Sequence, residues 1–218
     1  MPRTILVTEG DSPLGAALVR LLAARGYAVA SASARVSPGP AGAPARSPLM
    51  LEWNRRSPVS ARTVVLSILN AFETLDEAVI LEPRLPAGSP LHESASADIE
   101  RAFDDAKGPV FLARELLGVF LARGGGIVSF VSGSPSTGAV GSAAREAFRG
   151  LASALLAAPG SGSIVANGFQ CDGAEPDDYA AFIDRTLEEK ARKITGRWFS
   201  CPQRGGFLQG VLRTSSRP

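Results

Sequence analysis

A strand, a glycine-containing turn, a helix and a second strand follow one another within residues 4–32, and this unit constrains the fold more than any other feature. Thr4–Thr8 is a short apolar run that ends in turn-forming residues, which predicts a buried strand. Residues 14–25 carry apolar side chains at helical spacing and end at Gly26, and 27–32 is the next apolar run. A unit of this kind is typical of the start of a doubly wound parallel sheet.

Strands and helices continue to alternate along the rest of the chain. The predicted strands are 49–53, 77–81, 126–132, 163–169 and 197–200, and the predicted helices are 59–73, 97–123, 141–158 and 176–193. The segments 34–48 and 83–90 are rich in proline and are predicted loops. The longest helix is expected to bend near Gly108-Pro109.

The length of 218 residues suits one globular domain. Because strands and helices alternate over that length, the predicted fold class is α/β: a Rossmann-like, doubly wound parallel sheet in a three-layer α/β/α sandwich. This domain is expected to span residues 1–212, followed by a flexible tail over 213–218.

Composition excludes several function classes. The net charge is only +2 and no lysine-arginine run is present, so nucleic-acid binding has little electrostatic support. His92 is the only histidine, which leaves almost no basis for a histidine-based triad or metal site. Cys171 and Cys201 lack metal-ligand spacing and are expected to be ordinary thiols. No signal region or membrane-spanning stretch is evident, so a cytoplasmic protein is expected.

The segment 124–132, Gly-Gly-Gly-Ile-Val-Ser-Phe-Val-Ser, is a strand that ends in a serine, and a helix with Gly-Ser-Ala-Ala-Arg at 141–145 follows it. Near the C-terminus, Ile-Thr-Gly-Arg-Trp-Phe at 194–199 precedes Gly-Gly-Phe at 205–207. In these features and in the order of its elements, the chain resembles the short-chain dehydrogenase/reductase family over residues 4–207. The resemblance implies a nucleotide-binding fold, with a serine at the strand end and a Tyr-x-x-x-Lys motif on the next helix.

Only one member of the catalytic tetrad implied by this resemblance is kept, at Ser132. The asparagine position falls on Asp105, the tyrosine position on Gly141 and the lysine position on Arg145. In the family, the tyrosine moves a proton to or from the substrate oxygen. Loss of such a group typically lowers the rate by about 10²–10⁴ or more, so hydride transfer by the usual mechanism is not expected.

The nucleotide-binding turn is also altered. The family pattern Thr-Gly-x-x-x-Gly-x-Gly falls on Thr8-Glu9-Gly10-Asp11-Ser12-Pro13-Leu14-Gly15. Pro13 lacks an amide donor, and carboxylates at Glu9 and Asp11 would face the pyrophosphate. Two unit charges about 4 Å apart repel by roughly 4 kcal/mol at an effective dielectric near 20. Gly15 is kept and Gly10 could partly restore the turn, but a structural turn without a cofactor is predicted.

Other cofactor and substrate features of the family are missing. No acidic residue near the end of the second strand could bind a ribose hydroxyl, so any cofactor is expected to be NADP, with Arg35 on its 2′-phosphate; otherwise Arg35 is a solvated loop residue. Ile80-Leu81-Glu82-Pro83 replaces the family's Asn-Asn-Ala-Gly. Gln170-Cys171 replaces the family's Pro-Gly, and only residues 172–175 separate it from the next helix, too few for a lid over the substrate. Tyr179, on that last helix, is not expected to replace the missing tyrosine.

The chemical motifs are lost, while the helices 97–123 and 141–158, which form the assembly interface in the family, are kept. This pattern favours a non-catalytic structural or regulatory subunit that pairs with an active paralogue in a hetero-oligomeric NAD(P)-dependent dehydrogenase. One alternative is an enzyme with atypical chemistry, or an NADP-dependent oxidoreductase, using Ser132, Asp105 and Arg145. Arg145 and the altered turn also resemble the halohydrin dehalogenases, relatives that use serine, tyrosine and arginine without a nucleotide. A second alternative is a homo-oligomeric binding protein.

Overall fold

One parallel sheet organises the protein, for which a computed structural model describes residues 2–35, 47–83, 90–133, 138–158 and 162–202. Its seven strands lie in the order β3-β2-β1-β4-β5-β6-β7. The strands are β1 (Thr4–Thr8), β2 (Ala28–Ser33), β3 (Leu49–Glu52), β4 (Glu77–Leu81), β5 (Gly126–Ser132), β6 (Ile164–Gln170) and β7 (Arg197–Ser200). Every neighbouring pair is parallel, which confirms the predicted doubly wound α/β fold.

Helices cover both faces of the sheet and begin and end within a few residues of the predicted positions. They are α1 (Pro13–Ala24), α2 (Pro58–Phe72), α3 (Ser96–Ala122), α4 (Ala139–Ala157) and α5 (Pro176–Thr186). α3 continues without interruption through Pro109. The helix predicted over 176–193 ends earlier, because a π-helical turn occupies Leu187–Ala191. The predicted loops lie largely outside the described residues, and the predicted tail lies wholly outside them.

Two apolar cores hold the three layers together. Buried side chains of α2, α3 and α4 pack on one face of the sheet, where the rings of Phe130 and Phe148 meet edge to face at 5.9 Å. Those of α1 and α5 pack on the other face, around Leu18, Phe169 and Ile183. Full burial of such a side chain contributes about 1.5–3 kcal/mol. In the described part of the chain, no helix has both the length and the apolarity needed to cross a membrane.

A buried ionic cluster joins distant parts of the chain at the amino-terminal edge of the sheet. The carboxylate of Glu77 accepts hydrogen bonds from Arg192 Nε and Nη2 at 2.8 and 3.1 Å, and from Arg3 Nη1 at 2.6 Å. Arg192 also pairs with Glu188 at 2.5 Å and lies over the ring of Tyr27. Because a buried charge is tolerated only when it is paired, this cluster fixes the chain after α5 against β4.

Asn167, fully buried in β6, positions the last strand. Its Nδ2 donates to the carbonyl oxygens of Ala191 and Ile194 at 2.7 and 2.6 Å, and its Oδ1 accepts from the amide of Arg197 at 3.1 Å. These bonds pair backbone carbonyl oxygens at the end of the helical segment that follows α5. They also pair the backbone amide at the start of β7.

Candidate functional site

The turn between β1 and α1, where the family binds its nucleotide, contains a buried ion pair. Glu9 is 2% exposed, and both of its carboxylate oxygens accept from Arg55, one from Nε at 2.8 Å and the other from Nη2. The guanidinium lies over the ring of Trp53, and its Nη1 is 4.0 Å from an oxygen of Asp105. Burial raises the pKa of the Glu9 carboxyl, and the attraction of Arg55 offsets part of that rise.

The backbone of the turn has, at Glu9, a conformation that favours glycine. Glu9 has a φ of 54°, in the left-handed region that side chains other than glycine rarely adopt. A Cβ on Gly15 would lie 2.0 Å from the Glu9 carbonyl oxygen, and one on Gly10 would lie 1.8 Å from Ser31 Oγ. Both glycines are therefore needed for packing within the chain itself.

The first turn of α1 is capped by the chain's own side chain. Ser12 Oγ accepts from the amide of Gly15 at 2.9 Å, and Pro13 occupies the first helical position, where no amide donor is available. The helix N-terminus therefore offers fewer free donors to an anion than a glycine-rich turn would.

At the carboxyl ends of β4 and β5, three side chains at the catalytic positions form a second polar cluster. Ser132 Oγ donates to Glu82 Oε2 at 2.7 Å. The other carboxylate oxygen of Glu82 is 3.6 Å from Arg145 Nε, and Arg145 Nη2 is 3.5 Å from Asp172. Glu82 thus lies between the serine and the arginine that the sequence places in the tetrad.

Gly141, at the tyrosine position, is buried in the first turn of α4 and offers no side chain to a substrate. A different tyrosine reaches the neighbourhood: the hydroxyl of Tyr179, from α5, donates to the carbonyl oxygen of Ser132 at 2.8 Å. Burial raises the pKa of Tyr179, so this hydroxyl stays protonated and bonded to the backbone. Tyr179 therefore lies beside the site but does not take over the role of the missing acid.

Solved structures place this arrangement in a known fold. A levodione reductase aligns with a TM-score of 0.77 at 16% identity, covering 91% of this chain and 95% of that chain. A variant short-chain dehydrogenase/reductase from Serratia marcescens gives 0.74 at 23%, covering 91% and 95%. A 3-ketoacyl-(acyl-carrier-protein) reductase from Brucella melitensis complexed with NADH gives 0.77 at 16%, covering 91% and 96%.

The chain has the fold of the short-chain dehydrogenases/reductases. No family model and no curated protein matches its sequence.

In this short-chain dehydrogenase/reductase fold, the predicted site residues separate into two groups. Asp105 lies near Arg55 and joins the cluster in the nucleotide turn, whereas Ser132 and Arg145 meet through Glu82. Arg35 is exposed just after β2. The described side chains include no group of three or more residues that could hold a metal ion.

Arg55 and Glu82 were not predicted as site residues. Glu82 could have been recognised from the sequence, because it is an acidic residue directly after a buried strand, within the segment that replaces the family's Asn-Asn-Ala-Gly. The sequence around Arg55 does not mark it as a site residue, because its partner Glu9 is 46 residues away. The only general indication is that a buried carboxylate requires a cation somewhere in the fold.

A cavity of about 330 Å³ lies beside the second cluster, next to the start of α1, and is bordered by Pro13, Leu81, Glu82, Gly133 and Tyr179. Burial raises the pKa of the Glu82 carboxyl, and the hydrogen bond from Ser132 and the charge of Arg145 oppose that rise. The cavity thus presents one acidic group in mostly apolar surroundings, a setting suited to binding a small polar ligand or exchanging a proton.

The Glu9–Arg55 pair can be tested by a double-mutant cycle. Arg55→Met is expected to lower the free energy of unfolding by about 3 kcal/mol, because it leaves the Glu9 carboxylate buried and unpaired. Adding Glu9→Leu should recover part of this loss, and urea unfolding measures both effects. Arg101→Met is the matched control, because Arg101 pairs with Asp98 on the exposed face of α3. A loss for Arg55→Met no greater than the control's would contradict the buried pair.

The raised pKa of Glu82 predicts a pH dependence of stability. A carboxyl whose pKa is higher in the folded state contributes stability below its ordinary value of 4.5, and this contribution is lost as the pH rises through the folded pKa. The melting temperature of the wild type, measured against Glu82→Gln, should therefore fall as the pH rises from 4.5 towards neutrality. Glu146→Gln, on the exposed side of α4, is the control. A constant difference between wild type and Glu82→Gln would count against a raised pKa.

Proposed function

We propose that the protein is a non-catalytic subunit of a hetero-oligomeric NAD(P)-dependent dehydrogenase, which pairs in the cytoplasm with an active chain of the same fold. The observation that carries this proposal is the buried Glu9–Arg55 ion pair in the turn where the family binds its cofactor. The helices α3 and α4, which form the assembly interface in the family that the sequence resembles, are by contrast both present.

Cofactor binding conflicts with this ion pair. The Nε and Nη2 donors of Arg55, which bond the buried Glu9 carboxylate, would be available to a pyrophosphate in the turn only if they left Glu9. An uncompensated buried charge costs about 3–5 kcal/mol, and each 1.4 kcal/mol is about tenfold in affinity. An affinity loss of more than about a hundredfold is therefore expected, in contrast to the Brucella melitensis reductase, which is complexed with NADH.

The catalytic positions support the same proposal. No tyrosine hydroxyl is directed at a substrate oxygen, because Gly141 lacks a side chain and Tyr179 donates to the backbone. The hydroxyl of Ser132 donates to Glu82, so its proton is not free to stabilise a substrate oxygen. Arg145 pairs with acidic side chains and has no tyrosine whose pKa it could lower.

The outward side of α3 offers a surface for a partner. Phe103, Val110 and Leu121 are 43%, 45% and 50% exposed, and at 100° per residue they lie within one narrow line along the helix. The half-buried Leu117 lies on the same line. We call these four residues the α3 stripe. Exposed apolar surface of this kind typically marks an interface.

The neighbouring helix would allow a partner to come close. α4 packs beside α3 and presents small exposed residues at helical spacing, Ala143, Ala147, Gly150 and Ala154. Small side chains let a second helix approach closely. In the family that the sequence resembles, these two helices form the subunit interface, so the same surface suits an active paralogue.

The alternative of an enzyme with atypical chemistry is favoured by one observation. Glu82, with its raised pKa, contacts Ser132 and lies near Arg145 beside a cavity, as a proton-transferring group would. Asp105 would not take part, since its contact is with Arg55. A homo-oligomeric binding protein, with the α3 stripe paired to its own copy, is the other alternative.

The first prediction of the proposal concerns the cofactor. The protein purified alone should show no saturable fluorescence change with NADPH or NADH and no reduction of carbonyl substrates. Gly141→Tyr combined with Arg145→Lys should remain inactive, because the nucleotide turn would still contain the Glu9–Arg55 pair. A 3-ketoacyl-(acyl-carrier-protein) reductase serves as the positive control. Micromolar binding by the wild type, or turnover by the double mutant, would count against a non-catalytic role.

The second prediction concerns the partner. Native mass spectrometry of the protein isolated from its own host should detect a mixed assembly with a chain that carries the Tyr-x-x-x-Lys motif. Val110→Glu with Leu121→Lys should abolish the mixed assembly, because charge would replace the apolar stripe. Leu66→Lys, at a 46% exposed position on α2, should leave it unchanged. A homo-oligomer alone would contradict the subunit role.

A further inference from the structure

The two cysteines, 30 residues apart in the sequence, lie next to each other at the carboxyl edge of the sheet. The register of β6 and β7 pairs Gln170 with Ser200, and Cys171 and Cys201 are the residues that immediately follow. The amide of Cys201 donates to the carbonyl oxygen of Gln170 at 3.0 Å, so the pairing extends to the cysteines. Neighbouring strands are about 4.8 Å apart, within the range of about 4.4–6.8 Å that a disulfide spans between Cα atoms.

The thiol of Cys201 lies near enough to Cys171 to raise the pKa of the Cys171 thiol. Cys171 is 6% exposed, whereas Cys201 is half-buried and more accessible. Both thiols border a cavity of about 610 Å³, together with Asp172, Phe182 and Arg185. This cavity gives a small reagent access to the pair. No third metal-ligating side chain joins them within the described chain, which favours sulfur chemistry over metal binding.

We propose that Cys171 and Cys201 are a reversible dithiol–disulfide pair that is oxidised by a small disulfide such as oxidised glutathione. The thiolate of Cys201 attacks one sulfur of the glutathione disulfide, which releases one glutathione thiolate and leaves a mixed disulfide on Cys201. Cys171 then loses its proton to solvent and attacks the Cys201 sulfur, which releases the second glutathione. The protein loses two electrons and two protons, and one glutathione disulfide becomes two thiols.

The order of these steps follows from the surroundings of the two sulfurs. Burial, the contact with Cys201 and the charge of Asp172 raise the pKa of Cys171 to about 12. A thiol with a raised pKa has a smaller thiolate fraction at neutral pH and reacts more slowly, and Cys201 is also the more accessible of the two. Cys201 is therefore the attacking thiol. Once it is in a mixed disulfide, its own effect on Cys171 is removed, which favours the second step.

The pair differs from a structural disulfide in its setting. It lies at the surface edge of the sheet, beside the strand end that carries Ser132, since the amide of Cys171 donates to the Ser132 carbonyl oxygen at 3.3 Å. Oxidation would join the ends of β6 and β7 and restrict the unfolded chain. It is expected to raise the melting temperature by roughly 5–10 °C. The inference does not depend on the proposed subunit role.

The experiment uses the full-length protein in glutathione buffers of increasing oxidised fraction, followed by alkylation and peptide mass mapping. The expected product is an intramolecular link between the Cys171 and Cys201 peptides that dithiothreitol reverses. In Cys171→Ser, glutathione should remain attached to Cys201. In Cys201→Ser, Cys171 should stay free and be alkylated more slowly than Cys201 is in the first variant, because Cys171 is buried. Circular dichroism checks that both variants are folded.

Three outcomes would overturn the proposal. Both thiols of the wild type could remain reduced in the most oxidising buffer while reacting after denaturation in urea. The wild type could stop at the mixed disulfide, which would show that Cys171 does not reach Cys201. Disulfide-linked dimers in place of the internal link would show that the cysteines serve contacts between molecules.

Discussion

The buried carboxylate of Glu9 imposes the constraint on which the carboxyl edge of the sheet depends. A charge that is 2% exposed must be paired, and Arg55 supplies both hydrogen bonds from the chain that follows β3. Arg55 in turn lies over Trp53, and α3 approaches it closely: a Cβ on Gly108 would lie 2.6 Å from Arg55 Cβ. One ion pair thus fixes the nucleotide turn, the chain after β3 and the middle of the long helix relative to one another.

Several polar side chains at the carboxyl edge of the sheet are consequently paired with other groups of the same chain. In a cofactor-dependent dehydrogenase, donors at this edge are left for phosphates and for the substrate oxygen. Here Arg55 is paired with Glu9, the Ser132 hydroxyl with Glu82, and the Tyr179 hydroxyl with a backbone carbonyl. Internal pairing of this kind satisfies buried polar groups within the folded chain. Glu82 differs from the other groups, because its carboxyl has a raised pKa and borders a cavity.

The fold could be predicted from the sequence almost completely, and the site only in part. Apolar runs bounded by turns defined the seven strands because buried parallel strands carry a strong local signal. The last helix was predicted too long, since a π-helical turn keeps helical spacing until Asn167 bonds to its carbonyls. The carboxylate of Glu9 was expected to face a pyrophosphate, but it pairs with Arg55. Contacts between residues so far apart in the sequence cannot be recognised from residue spacing. The contact between Cys171 and Cys201 could not be predicted for the same reason.

The cluster around Glu77 also has a consequence for the order of synthesis. β4 emerges from the ribosome when only Arg3 is available to neutralise this carboxylate, and Arg192 follows 115 residues later. Until then the carboxylate of Glu77 lacks the hydrogen bonds from Arg192 and has only Arg3 as a partner. The arrival of Arg192 completes the pairing just before β7 is made. A ribosome-bound chain that stops short of this arginine should therefore remain sensitive to protease, even though six of its seven strands have already been made.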